Sequence, residues 1–182
     1  MKFTALPIQG CYLIEIEALS DERGYFARTF CRDEFRAQGL NADLEQCSLS
    51  FNRHSGTLRG MHYQKPPHEE AKLVRCTAGS IFDVILDLRQ QSQTYLRWAG
   101  IELSASNHKS VYIPAGCAHG FLTLEDNSEV SYQMSQAYCP ESAAGVRWDD
   151  PAFGIKWPAS NIIISDRDSG YELWDDTKRC AT

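Results

Sequence analysis

The sequence predicts an all-β protein, a small jelly-roll barrel with short peripheral helices. Between Gly10 and Asp126, short β-type runs are interrupted by Gly, Pro, Asn or Asp about every ten residues, a pattern typical of sandwiches and barrels. The chain of 182 residues contains no internal repeat, low-complexity tract or Gly/Ser linker. We therefore expect a single domain over residues 1–182, with a C-terminal tail of about forty residues that packs on the barrel.

Ten strands are predicted from the β-branched and apolar runs, at residues 11–19, 25–30, 47–52, 57–63, 72–78, 80–88, 96–103, 110–113, 120–124 and 129–135. The run from Ile81 to Leu88 is almost continuously apolar and should be a central strand buried on both faces. A helix is predicted at residues 31–38, ended by Gly39 in the left-handed conformation, and a second short one near residues 169–178. A small barrel encloses one small ligand, so functional side chains should point inward from central strands.

Composition excludes several classes of partner. There are 18 Lys and Arg against 24 Asp and Glu, a net charge of −6, so general affinity for nucleic acid or an anionic membrane is not expected. A local basic pocket remains compatible with that balance.

The seven cysteines include no CxxC pair, which favours reduced thiols, and no stretch approaches the ~18 apolar residues of a membrane span. We expect a cytoplasmic protein.

Polar residues interrupt the predicted strand Leu58-Arg59-Gly60-Met61-His62-Tyr63-Gln64. With a period of two, Gly60, His62 and Gln64 share one face, and Arg59 lies on the other unless the strand bulges. A core histidine beside a surface arginine is the simpler interpretation of this segment alone. A functional interpretation needs further polar residues at the same place.

A second histidine follows a Pro/Gly turn in Ile113-Pro114-Ala115-Gly116-Cys117-Ala118-His119. Together with Gly56 and His62, this segment resembles the two halves of the cupin signature. Metal-binding cupins carry His-x-His and a Glu in the first half, whereas here Gln64 replaces the second His and only Glu69 and Glu70 are near. The ligand set is incomplete, and we predict no metal.

Three further segments carry candidate residues, each with a structural alternative. Lys72 begins an otherwise apolar strand, as an edge lysine would, but beside a cavity it would stabilise an oxyanion. Tyr132 and Tyr138 are aromatic residues of the kind that fill cores, but at a cavity one could donate a proton and the other could stack on a base. The turn containing Arg23 and Gly24 is an ordinary hairpin or a diphosphate clamp.

Taken together, these segments resemble the nucleotide-sugar 3,5-epimerases of the rhamnose pathway, the dTDP-4-dehydrorhamnose 3,5-epimerase family. The matching segments are collinear over most of the chain: DERGYF at residue 21, LRGMHYQ at 58, AKLVRC at 71, DVILDLR at 83, YIPAGCAHGF at 112, SYQMSQAY at 131 and RWDDPAFGIKWP at 147. The resemblance implies a cupin-type jelly-roll barrel, a homodimer, and neither metal nor other cofactor.

The resemblance also implies catalytic roles for an epimerisation next to a ketone. His62 would remove the proton α to the C4 ketone of a 4-keto-6-deoxy sugar, Lys72 would lie near the enolate oxygen, and Tyr132 would return a proton on the opposite face. The carboxylate that orients His62 falls on Asp168, with Asp166 as the alternative because the spacing of the tail is irregular.

Substrate contacts carry over by the same resemblance. They are Arg59 and His119 near the sugar and diphosphate, Gln46, Arg167, and Tyr138 stacking on the nucleobase. Arg23 and Phe26 match residues that reach into the site of the neighbouring subunit.

The chain departs from the family pattern at Arg28, Cys47, Ser48 and Ala143, with Glu141 displaced from the usual acidic position. These positions match nucleotide or diphosphate contacts, so they leave the nucleotide and the exact sugar open. The expected activity is epimerisation at C3, C5 or both of a nucleoside-diphosphate 4-keto-6-deoxy sugar, by default the thymidine-linked one. The alternatives are a 3- or 5-mono-epimerase acting on a CDP- or GDP-linked hexose or heptose, a metal-dependent cupin isomerase or dioxygenase, and a sugar-binding cupin without catalysis.

Overall fold

The computed structural model describes residues 1–175. The strands are β1 (Lys2–Ala5), β2 (Tyr12–Glu15), β3 (Leu19–Asp21), β4 (Gly24–Phe26), β5 (Gln46–Asn52), β6 (Leu58–Gln64), β7 (Lys72–Ala78), β8 (Ser80–Asp87), β9 (Trp98–Ser104), β10 (Ser110–Ile113), β11 (Cys117–Thr123), β12 (Ser128–Met134) and β13 (Ala143–Gly145). The helices are α1 (Arg32–Ala37) and α2 (Asp166–Ser169).

Two antiparallel sheets face each other and form the barrel. The larger has the strand order β1-β2-β10-β7-β12-β5, and the smaller has the order β13-β6-β11-β8-β9. β3 and β4 form a separate hairpin. The predicted all-β jelly roll with short peripheral helices is confirmed.

Alternation along the strands separates the barrel interior from the outer faces of the sheets. On β7, Val74 and Cys76 join the apolar cluster between the sheets, whereas Leu73 faces outward into a cluster with α1. On β8, Ile81 and Ile85 point inward, while Val84 and Leu86 pack outward beneath residues 146–157. Both faces of β8 are therefore buried, as its apolar run predicts.

Most predicted elements are present with small shifts at their ends. The predicted strand at residues 11–19 is divided between β2 and the start of β3, and the predicted strand at 25–30 is only the short β4. β1 and β13 were not predicted, and the run Ala143-Ala144-Gly145 of β13 contains no β-branched or aromatic residue. Gly39 follows α1 at φ 72°, in the left-handed conformation that was predicted to end this helix.

The predicted tail helix at residues 169–178 is wrong in its described part. A single helical turn, α2, begins at Asp166, three residues before the predicted start, because the Ser165 hydroxyl accepts a hydrogen bond from the Asp168 backbone N–H. It ends at Gly170, and residues 171–175 are not helical. Residues 176–178 of the prediction lie outside the described part of the chain.

One bulge in β6 determines which side chains face the interior. His119 of β11 pairs with His62, but Phe121 pairs with Arg59, so Gly120 lies opposite both Gly60 and Met61. The extra residue turns Arg59 to the same side as His62. A regular strand would place these two residues on opposite faces, so the bulge that the sequence left open is present. Gly60 has φ 137°, and a Cβ atom there would lie 2.5 Å from the Cα of Gly120. Only glycine fits this position without strain.

We therefore expect Gly60→Ala to lower the free energy of unfolding by at least about 2 kcal/mol, since the new methyl group meets backbone that cannot move aside. Denaturant unfolding measures this change. The matched control is Gly154→Ala, at φ 61° with open space around it, which should cost only about 1 kcal/mol. Equal losses in the two variants would contradict a constraint from the close approach of β6 and β11.

Candidate active site

A cavity of about 340 Å³ opens between the two sheets. Its walls carry most of the polar residues that the sequence singles out, contributed by both sheets and by α2. The lining residues are Ser48, Ser50, Arg59, His62, Tyr63, Gln64, Glu70, Lys72, His119, Phe121, Tyr132, Met134, Tyr138, Ala143, Ala144 and Arg167. The fold therefore brings seven predicted site residues to one place: Arg59, His62, Lys72, His119, Tyr132, Tyr138 and Arg167.

His62 is held by a carboxylate behind the cavity wall. Its Nε2 lies 2.7 Å from Oδ1 of Asp168, whose other oxygen accepts the Gly60 backbone N–H at 3.1 Å. Asp168 is buried, whereas Asp166, the alternative partner, is exposed. The helical turn of α2, capped by Ser165, sets which of these two carboxylates points inward.

Burial pushes the pKa of Asp168 upward, but the hydrogen bond and charge of His62, the Gly60 N–H and the charge of Arg167 outweigh it and hold the pKa below its ordinary value. Asp168 is therefore ionised near neutral pH and only accepts hydrogen bonds. This places the proton of a neutral His62 ring on Nε2 and leaves the lone pair on Nδ1. With 41% of its side chain exposed, His62 is accessible from the cavity.

His119 has a carboxylate partner of its own. Its Nε2 lies 2.7 Å from Oδ2 of Asp83, and both side chains are buried. Because His119 is the cross-strand neighbour of His62, two His–Asp pairs lie side by side on the smaller sheet. Sequence reasoning missed Asp83, although a carboxylate inside the apolar run of β8 was a visible signal.

The opposite wall carries Lys72 and Tyr132, both from the larger sheet. The Lys72 ammonium forms an ion pair of 2.9 Å with Glu70 and donates to the His62 carbonyl oxygen at 3.4 Å. Burial, followed by the charge of Asp83, raises the pKa of Tyr132 far above its ordinary value, with Arg59 acting in the opposite direction. The phenol of Tyr132 therefore keeps its proton throughout the physiological range.

The guanidinium of Arg59 is oriented by Asn52. Its Nε donates to the Asn52 side-chain oxygen at 2.7 Å, while the Asn52 amide nitrogen donates to the carbonyl oxygens of Ser50 and Ser128. Asn52 is buried and joins β5, β12 and β6 at this point. Nothing in the sequence marked Asn52, because its role depends on which strands become neighbours.

Tyr138 lies on a segment that two glutamines hold. Gln46 accepts the Tyr138 backbone N–H at 2.7 Å, and the buried Gln64 accepts the Cys139 N–H at 2.6 Å. The amide nitrogen of Gln64 also donates to the carbonyl oxygens of His68 and Ala137. Gln64, at the position of the second histidine of a metal-binding cupin, thus anchors the segment that presents the exposed ring of Tyr138.

Arg23 and Phe26 are not part of this cavity. Both lie on the β3–β4 hairpin, where the Arg23 side chain is 85% exposed and pairs with Asp21, and Phe26 is 75% exposed. Gln46 contacts Tyr138 but does not line the cavity.

Of the positions that depart from the family pattern, Ser48 and Ala143 line the cavity. Arg28 does not; it forms an exposed pair with Glu34. Cys47 is an exposed residue of the edge strand β5.

Among residues 1–175, no group of three or more His, Cys, Asp or Glu side chains is arranged to hold a metal ion. In the same part of the chain, no helix is long and apolar enough to cross a membrane.

Comparison with known proteins places the chain in a family. A family profile described as dTDP-4-dehydrorhamnose 3,5-epimerase matches residues 5–176. The chain belongs to this family. The resemblance seen in the sequence is thereby confirmed, and with it the cupin-type jelly-roll fold.

Relatives of the same family align over nearly the whole chain. A dTDP-4-dehydrorhamnose 3,5-epimerase from Sinorhizobium fredii is 41% identical over 170 residues, 93% of this chain and 87% of the relative. The crystal structure of the Elizabethkingia anophelis epimerase superposes with a TM-score of 0.94 at 36% identity and covers 98% of each chain. The crystal structure of a Legionella pneumophila dTDP-6-deoxy-D-glucose-3,5-epimerase in complex with dTDP-4-keto-L-rhamnose superposes with a TM-score of 0.88 at 33% identity. The match covers 94% of this chain and 92% of the other.

We expect Gln64→Leu to release the segment at residues 137–139, because it removes one acceptor and two donor contacts from a buried site. The free energy of unfolding should fall by roughly 2 kcal/mol. Hydrogen exchange followed by NMR should show faster exchange of the Cys139 amide. The exposed Gln90 provides the control, and Gln90→Leu should change neither quantity. An unchanged Cys139 exchange rate in Gln64→Leu would contradict the anchoring role.

Proposed function

We propose that this protein epimerises a nucleoside-diphosphate 4-keto-6-deoxy sugar at C3, C5 or both, by default converting dTDP-4-dehydro-6-deoxy-D-glucose to dTDP-4-dehydro-L-rhamnose. The observation that carries the proposal is the placement of a carboxylate-paired histidine and a protonated tyrosine on opposite sheets of one cavity. A sugar ring between the sheets has a base on one face and an acid on the other. Inversion at carbon requires this arrangement.

His62 is the base of the proposed reaction. Nδ1 takes the proton from the carbon next to the C4 ketone, and the electron pair of the broken C–H bond forms an enolate whose charge lies on the C4 oxygen. Asp168 stabilises the imidazolium that results, since its carboxylate is already ionised and 2.7 Å away. The ammonium of Lys72 stabilises the enolate oxygen.

Tyr132 completes the inversion. Its phenol donates a proton to the same carbon from the face opposite His62, and the C4 ketone is restored. The product differs from the substrate only in the configuration at that carbon. His62 has gained one proton and Tyr132 has lost one. Proton exchange with the solvent returns both side chains to their starting states.

The charges of the cavity suit a diphosphate. The carboxylates of Asp168, Asp83 and Glu70 are each paired with a cation or histidine. Arg59 and Arg167 line the cavity, and neither forms an ion pair with a carboxylate among residues 1–175, although the charge of Arg167 acts on Asp168 at longer range. These two guanidinium groups are the proposed diphosphate contacts, and they reconcile a protein of net charge −6 with a dianionic substrate. The exposed ring of Tyr138 at the cavity edge is the proposed stacking surface for the base.

His62→Asn tests the base. In heavy water, the wild-type protein should incorporate deuterium at C3 or C5 of the 4-keto sugar nucleotide, detected by NMR, and the variant should lose this exchange by at least about 100-fold. His54→Asn is the control, because His54 is exposed and lies outside the cavity. Exchange that persists in His62→Asn would disprove the assignment of the base. A panel of thymidine, cytidine, uridine and guanosine forms reports the nucleotide and the inverted carbon together.

Tyr132→Phe separates exchange from inversion. With His62 intact, we expect deuterium still to enter the substrate from the face of the base, because the same group removes and returns the proton. Formation of the inverted product should fall by about 100-fold or more, since the opposite face lacks its acid. The product configuration and the deuterium content are read from the same NMR spectra. Equal losses of both would argue against separate roles for the two residues.

A homodimer with shared sites is the second part of the proposal. Arg23 and Phe26 lie on an exposed hairpin, and neither lines the cavity of its own chain. Leu19 on that hairpin is 75% exposed and Leu49 on the edge strand β5 is 67% exposed, and exposed apolar side chains of this kind favour burial against another copy. A second copy would bring Arg23 and Phe26 to the neighbouring site.

Mixing two defective variants tests the shared site. Arg23→Ala and His62→Asn should each be impaired alone. After unfolding and refolding together at equal concentrations, half of the dimers are mixed and each mixed dimer has one intact site, so activity should reach about a quarter of wild type. The control is Arg53→Ala with His62→Asn, because Arg53 is exposed outside the hairpin and the cavity. If the refolded mixture of Arg23→Ala and His62→Asn has only the mean activity of the two separate variants, the hairpin does not contribute Arg23 to the site of the partner subunit.

A further inference from the structure

Glu70 is a charged residue of the cavity that the reaction described above does not use. It lies two residues before the start of β7 and pairs with Lys72 through Oε1 at 2.9 Å. Both side chains are at most 10% exposed, and both line the cavity. The ammonium proposed to hold the C4 oxygen is therefore placed by a carboxylate at the same wall.

The second oxygen of Glu70 has no such partner. Oε2 is buried and accepts no hydrogen bond from any residue in the described range 1–175. An ionised carboxylate only accepts hydrogen bonds, and a buried one that lacks a donor is costly. Asp83 also has an unpartnered oxygen, but Asp83 does not line the cavity. Glu70 is thus the carboxylate for which a ligand in the cavity can supply the donor.

The chemistry of the substrate identifies that donor, and this step rests on the proposed function. If Lys72 holds the C4 oxygen, the groups next to it are the substituents of C3 and C5. In a 4-keto-6-deoxy sugar C5 carries a methyl group and the ring oxygen, neither of which donates a hydrogen bond. C3 carries a hydroxyl group, which does.

We propose that Glu70 is a specificity-determining residue that accepts a hydrogen bond from the C3 hydroxyl of the sugar through Oε2. When the proton at C3 is removed, the enediolate is planar, and its C3 hydroxyl lies beside the C4 oxyanion. The Glu70–Lys72 pair matches these two groups, with an acceptor for the hydroxyl and a donor for the oxyanion. A sugar without a donor at C3 leaves the buried carboxylate unpaired and is rejected.

A second substrate tests this role. Deuterium incorporation at C3 or C5 is measured with the 4-keto-6-deoxy sugar nucleotide and with its 3-deoxy analogue. The wild-type protein should have a higher kcat/KM for the hydroxylated sugar than for the 3-deoxy sugar, and this ratio should exceed that of Glu70→Leu by about 10- to 100-fold. In Glu70→Leu, only the difference in intrinsic reactivity between the two sugars should remain. Glu70→Gln keeps an acceptor at this position and should retain part of the preference. Glu69→Leu is the control, since Glu69 lies outside the cavity and should leave the ratio at its wild-type value.

The ratio between the two substrates is independent of the folded fraction of a variant, because both are measured on the same preparation. If Glu70 served only to place Lys72, Glu70→Leu would slow both substrates equally and keep the wild-type ratio, and that result would overturn the inference while leaving the proposed function intact. Absence of exchange by the wild-type protein with every hydroxylated sugar nucleotide would overturn the proposed function, and the inference with it.

Discussion

The extra residue in β6 at Gly60 is the constraint on which the site depends. Without it, Arg59 and His62 would lie on opposite faces of the strand, and one of them would be lost to the outer apolar layer. The same residue also holds Asp168, because its N–H donates to the carboxylate that orients His62. A single backbone position therefore sets the directions of Arg59, a proposed diphosphate contact, and of His62, the proposed base. It also holds Asp168, the carboxylate that pairs with His62.

The two-sheet architecture supplies the chemistry that one sheet alone would lack. The smaller sheet contributes the two histidines that are paired with buried carboxylates, whereas the larger sheet contributes Lys72 and Tyr132. A planar ligand between the sheets meets a proton acceptor on one side and a proton donor on the other. The apolar cluster between the sheets, which includes Val74 and Ile85, extends to the cavity at Phe121. Packing of this cluster therefore sets the spacing of the two cavity walls.

The architecture could be predicted from the sequence because it follows local rules. The apolar run of β8 and the glycine after α1 each act within a few residues. Strand periodicity left the side of Arg59 open, because a bulge depends on the close approach of Gly120 from another strand. Similarly, the choice between Asp166 and Asp168 depends on where Ser165 begins a helical turn.

Supporting residues were harder to predict than the residues they support. Asn52, Gln64 and Asp83 act on groups from other strands or from a distant loop, and their partners are known only when the topology is known. Asp83 left a trace as a carboxylate in an apolar run. Asn52 left none, since an asparagine at the end of a strand is an ordinary residue there.

The raised pKa of Tyr132 shows why the proposed acid needs its neighbours. Burial and the charge of Asp83 keep the phenol protonated, which guarantees that the acid is ready but makes the loss of its proton unfavourable. Arg59 is the group whose charge lowers this pKa, so it would stabilise the tyrosinate that forms when the proton leaves. Substrate diphosphate at Arg59 would partly neutralise that stabilisation. In the proposed reaction, holding the diphosphate would therefore oppose release of the proton, and Asn52 would affect both because it orients the Arg59 guanidinium.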